Sequence, residues 1–254
     1  MKVYLIYFSP TGSTEKVVRA LASGMGGETE VIDLKTPPQK KIFSAEDVVI
    51  WGVPSFGGRV PGVAMERFHA FSGAKTPCIL LTAYGNRDYD DTLLEMKDAA
   101  EAAGFYPVAA VAAVCEHSIV REFAAGRPDA EDLEQLKQIG EKVRKAMENG
   151  QAGGKLKVKG SRPYKEKKAA APMPIMVGEG CVNCKLCARE CPVQAISYED
   201  VTKTAENCIS CMRCISVCPA KARSLPEQLI SGLAEKMRPV CSVHKENEWF
   251  LAEA

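Results

Sequence analysis

Eight cysteines in the last third of the chain are the residues best equipped for chemistry. They form two runs, Cys181-x2-Cys184-x2-Cys187-x3-Cys191-Pro192 and Cys208-x2-Cys211-x2-Cys214-x3-Cys218-Pro219, offset by 27 residues. Each run sets three thiolates in a tight loop, close enough to cap three corners of one iron–sulfur cube. The fourth cysteine points away from that loop, and in a doubled unit it ligates the cluster nucleated by the other run. Zinc also favours four-cysteine sites. Zinc ligands, however, usually come as two separated C-x2-C pairs, not as a triple with a trailing Cys-Pro.

Both runs, prolines included, resemble the bacterial ferredoxin that carries two [4Fe–4S] clusters. The resemblance implies that Cys181, Cys184, Cys187 and Cys218 hold one cluster, and that Cys208, Cys211, Cys214 and Cys191 hold the other. The few apolar residues between them (Val182, Leu186, Ala188, Val193 and Ile196, then Ile209, Met212, Ile215 and Val217) suffice if clusters fill the core. The internal repeat predicts a pseudo-twofold unit, with short strands at Ser197-Tyr198 and Ala222-Arg223-Ser224. A helix over Pro226–Met237 should follow, ending at Arg238-Pro239. Trp249 and Phe250 should anchor the tail by burial, whereas Cys241 has no assigned role.

The cofactor-bearing unit must be positioned by the rest of a chain of 254 residues, enough for two modest domains. A net charge of +1 gives no reason to expect nucleic acid or an anionic membrane as partner. Reduced cysteine ligands imply a reducing, cytoplasmic setting. The opening MKVYLIYFSPTG turns polar too soon for a signal peptide, and no stretch of 18 apolar residues occurs to span a membrane. Charge is unevenly spread. Residues 1–148 carry net −4 and residues 171–254 net −1, whereas residues 149–170 hold seven basic side chains against Glu166 alone. Domains are therefore expected at 1–148 and 173–254, joined by a basic linker at 149–172 that can lie across both neighbours.

Residues 1–148 alternate strand and helix patterns: strands at Lys2–Phe8, Glu28–Leu34, Asp47–Val53, Thr76–Ala83 and Tyr106–Val114, and helices at Ser13–Met25, Val63–Phe71, Asp90–Ala103 and Asp129–Met147. Five strands interleaved with helices indicate a doubly wound parallel sheet, whose ligands bind beyond the carboxyl ends of its strands. After strand one, Ser9-Pro10-Thr11-Gly12-Ser13-Thr14 leads straight into a helix, and its hydroxyls and N–H groups make an anion cradle. Neither a Gly-Lys-Thr ending nor G-x-G-x-x-G is present. After strand three come Pro54-Ser55-Phe56-Gly57-Gly58-Arg59, and after strand four Thr82-Ala83-Tyr84-Gly85-Asn86-Arg87-Asp88-Tyr89. Both loops combine aromatics with glycines, as a flat ring needing stacking faces and close backbone would require.

These three loops resemble those of flavodoxins, which bind FMN on a five-stranded sheet of order 2-1-3-4-5. The likeness implies that Ser9, Thr11, Gly12, Ser13 and Thr14 hold the phosphate, and that Phe56 and Tyr89 stack on the ring with Tyr84 at its rim. A Gly57-Gly58 carbonyl would meet the flavin N5 proton. Phe56 stands where tyrosine is usual, and the third loop departs from the G-x-G-D-x-x-Y of short carriers. Arg59 and Arg87 either reach the ring edge or pair with Asp88, Asp90 or Asp91. His117, in Cys115-Glu116-His117-Ser118 after strand five, either donates a proton at the rim, as Tyr84 also can, or hydrogen-bonds its own loop. Cys78 and Cys115 read as core residues.

The whole chain resembles flavodoxin–ferredoxin fusion proteins of anaerobes. FMN and two [4Fe–4S] clusters on one chain imply an electron wire between a redox protein partner and an acceptor. The alternatives are a ferredoxin-coupled FMN reductase acting on a small molecule and a redox sensor. A loose linker would require a homodimer to bring cluster and flavin together.

Overall fold

The computed structural model describes residues 1–167 and 171–252. The chain runs β1 (Lys2–Tyr7), α1 (Ser13–Met25), β2 (Glu28–Asp33), β3 (Lys41–Phe43), β4 (Asp47–Pro54), α2 (Gly62–Phe68), β5 (Phe71–Gly73), β6 (Thr76–Tyr84), α3 (Thr92–Ala102), β7 (Phe105–Val114) and α4 (Ala130–Glu148). It continues through β8 (Met176–Val177), α5 (Leu186–Arg189), α6 (Arg213–Ser216), β9 (Arg223–Ser224), α7 (Glu227–Cys241) and β10 (Glu248–Leu251). The main strands lie side by side as β2-β1-β4-β6-β7, all parallel, which is the flavodoxin-like order 2-1-3-4-5. Two short strands, β3 and β5, pair separately beside this sheet.

The central strands are apolar at almost every position because helices cover both faces. On one face Trp51 of β4 stacks on Phe68 of α2 with ring centroids 3.6 Å apart. On the other, α1 and α4 touch backbone to backbone. A Cβ at Gly24 would fall 1.9 Å from the Lys137 carbonyl oxygen, and one at Gly140 would fall 2.1 Å from that of Leu21. An Asp129–Asp132 capping box fixes the start of α4.

Two expectations change. The sheet has a sixth strand: β10 adds antiparallel to β7, with Trp249 opposite Val111. Asn247 secures the junction by accepting from the Val114 amide at 2.8 Å, and Asn86 donates to the carbonyls of Cys241 and Val243. The C-terminal block therefore ends inside the N-terminal sheet, covering an edge that would otherwise stay open. Phe250 packs on the core, while Trp249 stays 37% exposed beneath Lys142.

The basic segment is a strap along α3, not a loose linker. Leu156 is buried in the first core, and the Ser161 and Lys165 amides donate to Asp91. Ion pairs join Lys159 to Asp88, Arg162 to Asp98, Lys165 to Asp90 and Lys167 to Glu95. All four acceptors belong to the acidic first half, so opposite charge on α3 and the loop before it explains the route. Lys168 lies outside the described residues.

The second half is thinly packed, its buried cluster consisting of Cys187, Ala188, Ile196 and Val201. Its backbone follows the repeat closely. Left-handed φ values occur at Asn183, Lys185 and Gln194, and again 27 residues on at Ser210, Met212 and Lys221. Helix α7 runs past the expected stop and contains Pro239, which leaves the Glu235 carbonyl without its intrahelical donor. Its Ala234 and Cys241 pack on Val120 and Phe123 of the loop after β7.

Candidate functional site

Three loops at the carboxyl ends of β1, β4 and β6 surround one cleft. Thr11, Ser13, Thr14, Pro54, Ser55, Phe56, Ala83, Tyr84 and Gly85 line it, together with Pro10 and the Cys115–Ser118 loop. Gly12 at φ +92° turns the first loop into α1, whose leading N–H groups lack intrahelical acceptors. No atom would meet a Cβ at Gly12, so the cradle is open there. Ser9 is not part of the lining; its Oγ accepts from the Glu15 amide at 2.9 Å and so ties the loop to the helix.

The second loop is a tight hairpin in which Phe56 and Arg59 exchange backbone hydrogen bonds of 3.0 and 3.2 Å. Gly57 and Gly58 both have positive φ, and a Cβ on Gly58 would strike the Asp90 carboxylate. The Gly58 carbonyl already accepts from the Asp91 amide, which leaves the Gly57 carbonyl for an outside donor. Ser55 Oγ lies 2.8 Å from Thr92 Oγ1, fixing this loop to α3. Thr82 is buried on β6 behind the cleft, with its hydroxyl unpartnered among the described residues.

Besides Ser9, four expected contacts are not made. Tyr89 is 1% exposed and belongs to the core. Its hydroxyl donates to Glu248 of β10 and its ring lies under Lys159, so tail and strap together remove it from the cleft. Arg59 is held away by a two-pronged pair with Glu95 at 2.8 and 3.0 Å, and it rests on the Tyr164 ring. Arg87 pairs with Asp90, the second of the two readings open from sequence. Asn86 faces the tail, as described above.

His117 does line the cleft, packed against Gly85. Its Nδ1 accepts from the Ile119 and Val120 amides at 3.2 and 3.0 Å, so a neutral ring carries its proton on Nε2. Burial, helped by the charge of Arg87, holds the His117 pKa below the ordinary imidazole value. Burial also pushes Tyr84 above the usual phenol range, so its hydroxyl stays protonated.

One further residue of the cleft was not legible in the sequence: Cys211 stands in its wall. The same cysteine lines a second cavity with Cys191, Cys208 and Cys214, the set assigned above to one cluster. No local signal in the sequence could reveal this, because it depends on how the halves dock. Arg213 makes the joint, donating to the Pro10 carbonyl at 3.1 Å and pairing with Glu190. Lys35 reaches the same Glu190 at 2.9 Å, and Arg67 donates to the Pro192 carbonyl at 2.6 Å. Arg213 and Lys35 together hold the Glu190 carboxyl down to about 2.

The donor set fits iron–sulfur clusters. Amides of Ala195 and Ala222 donate to Sγ of Cys191 and Cys218, each at 3.3 Å, a pair again related by the repeat. Six left-handed non-glycine residues bend the two runs, at roughly 1 kcal/mol or more apiece, and the small apolar core offers little to offset this. Burial pushes the Cys211 thiol up to about 12, so a thiolate there needs bound cations to hold it. Among the described residues no three His, Cys, Asp or Glu side chains are placed to hold a single metal ion. Four corners of a cube stand further apart than the ligands of one ion. In the other set, Cys187 is buried with Cys181 against it, Cys184 is exposed, and Cys218 lines a neighbouring basin with Met212 and Ile215.

Residues 180–222 match the family model of the 4Fe-4S dicluster domain. Several solved structures resemble the rest of the chain. An archaeal flavodoxin is 14% identical, with a TM-score of 0.42, over 58% of this chain and 99% of its own. Flavodoxin 2 from Bacillus cereus is also 14% identical, with a TM-score of 0.45, over 57% and 99%. The Flv1 flavodiiron core from Synechocystis sp. PCC6803 is 18% identical, with a TM-score of 0.44, over 59% of this chain but only 36% of its own. The comparison with curated proteins finds no match. The chain thus joins a parallel sheet of flavodoxin-like order 2-1-3-4-5 to a segment that matches the 4Fe-4S dicluster domain. Among the described residues no helix is long and apolar enough to cross a membrane.

Proposed function

We propose that the chain is an internal electron wire between a low-potential redox protein and an acceptor, with FMN in the cleft and two [4Fe–4S] clusters in the dicluster domain. The observation that carries this reading is the double position of Cys211, in the wall of the flavin-type cleft and in the cavity of its three fellow cysteines. When bound, the clusters would exchange single electrons, and the flavin one or two. The protein's own part is placement. Thr11, Ser13 and Thr14 would cradle the phosphate, Phe56 and Tyr84 would border the ring, and Gly57 would offer its carbonyl to the ring edge. The Arg213–Glu190–Lys35 joint would hold the cysteine loop against the cleft, so that transfer needs no second copy of the chain.

Anaerobic purification followed by cofactor analysis tests this. The expected result is one FMN released by acid per chain, with about eight iron atoms. Absence of flavin or a single bound zinc would end the proposal.

A reductase reading is favoured by one feature, the Cys115–Ser118 loop that walls the cleft beside a basin of about 590 Å³. In that reading His117 Nε2–H or the Tyr84 hydroxyl would supply the proton. Turnover of a small acceptor that is lost in both H117Q and Y84F would favour it over the wire.

A further inference from the structure

The basin of about 590 Å³ shares Thr11, Ser13, Glu116 and Ser118 with the cleft and continues to the turn after Cys218. It is distinct from both cofactor sites. Phe56 and Tyr84, which would border the flavin ring, do not line it. Neither do Cys181, Cys184 and Cys187, the fellows of Cys218 in the outer set. No member of the inner set lines it either, that is, Cys191, Cys208, Cys214 and the Cys211 that reaches the cleft. Small-molecule sites typically span about 300–1,000 Å³, and the basin falls in that range.

Five cations stand in the basin wall, Lys16, Arg121, Arg127, Lys221 and Arg223, against Glu116 as its one acid. Two of them are engaged, Arg121 with Glu116 and Arg127 with Asp132. Lys16, Lys221 and Arg223 form no salt bridge among the described residues, so the wall keeps unbalanced positive charge. The cysteine repeat supplies an internal control. The counterparts of Lys221 and Arg223, 27 residues earlier, are Gln194 and Ile196, both neutral. Only the run that borders the basin carries cations at these places, so the repeat itself does not call for them. Lys16 follows the cradle on α1, and helical Cα–Cβ bonds lean toward the N-terminus, which inclines it back toward the cradle. Met212 and Ile215 add an apolar patch to the same wall.

We propose that this basin binds a small polyanion, a molecule with two or more carboxylate or phosphate groups on a short carbon frame. Cations gathered in a concave site concentrate such a ligand. Lys16 and Lys221 come from different halves of the chain, so the site is complete only when the halves are docked. Met212 and Ile215 would take the carbon frame. The binding stands on the basin alone. Its link to turnover rests on the reductase reading given above, for which it names the substrate class, a small anionic acceptor.

The test is equilibrium dialysis of the anaerobically purified protein, assayed for flavin and iron, against radiolabelled probes. Tricarballylate stands for carboxylates, fructose 1,6-bisphosphate for phosphates, and acetate is the singly charged control. Tricarballylate or the bisphosphate should bind once per chain, acetate should not, and the probe that binds tells the two ligand sources apart. K16Q and K221Q should each weaken that binding about fivefold, with flavin and iron contents unchanged. K221Q is a safe variant for folding, because Gln194 already holds the matching left-handed position in the first run. K203Q, outside the basin, should change nothing. No saturable binding of either probe, or binding that K16Q or K221Q leaves unaltered, would overturn the proposal. Loss of flavin in either variant would also overturn it, by assigning the cations to the cofactor's own phosphate. The reductase reading fails separately, through absence of turnover in protein that still binds the probe.

Discussion

The two halves of the molecule reach order by different means. Residues 1–148 bury Trp51, Phe68, Phe43, Leu5, Ile50 and Leu21 completely, and pack α1 on α4 so tightly that glycines are required at the contact. The dicluster domain gathers only Cys187, Ala188, Ile196 and Val201 into a buried cluster and carries six left-handed non-glycine residues. The first half is held by side-chain packing, so its cleft is set before any cofactor arrives. The second half has little apolar packing to set against its left-handed turns, so on the proposed reading its cysteines should acquire a fixed geometry only as iron binds.

Removing the clusters breaks the comparison most severely. After anaerobic chelation of iron, amide exchange should become fast through residues 173–225, while β1, β4 and β6 remain protected. Uniform protection throughout would mean that the second half folds without metal. Packing changes should act in the opposite sense. Gly140→Val drives a side chain into the Leu21 carbonyl and should destabilise the first half by about 3 kcal/mol in urea unfolding, with iron content unchanged. Gly180→Val, where a Cβ would meet nothing, should leave the urea midpoint unaltered.

The joint between the halves should respond more mildly. Glu190→Gln removes the charge shared by Arg213 and Lys35 and should weaken docking by about 1–2 kcal/mol, read as faster exchange at Thr11–Thr14. Because Glu190 titrates from 4.5 in a free chain down to about 2 here, its contribution is complete above pH 4.5 and is lost as pH falls from there. Docking should therefore be constant between pH 6 and 8.

The smallest effect concerns His117. Its folded pKa lies below the ordinary 6.5, so its share of stability is present above that value and declines as pH falls. H117Q should flatten the pH dependence of Tm between pH 7 and 5, by less than the 1.4 kcal/mol per pH unit that one proton allows.

Much of this was legible in the sequence because it depends on local pattern. The bounds of α1 follow from apolar spacing, and the 27-residue offset of the cysteine runs reappears in the backbone as paired left-handed residues. What escaped depends on contacts between distant segments. Tyr89 looks like a ring-stacking residue until β10, 159 positions later, caps its hydroxyl with Glu248. Arg59 looks like a ring-edge cation until Glu95 on α3 claims it. The basic segment looks like a linker because its partners, Asp88, Asp90 and Asp91 before α3 and Glu95 and Asp98 on it, lie on elements that composition alone does not orient toward it.

The central claim is that the cleft and the inner cysteine set face each other within one chain. Rapid mixing of the oxidised holoprotein with a low-potential reductant that enters at the clusters, followed at flavin wavelengths over a hundredfold range of protein concentration, tests it most directly. The account predicts a flavin reduction phase whose rate is independent of protein concentration and which slows in E190Q. A rate that rises in proportion to concentration, unaffected by E190Q, would place transfer between chains and contradict it.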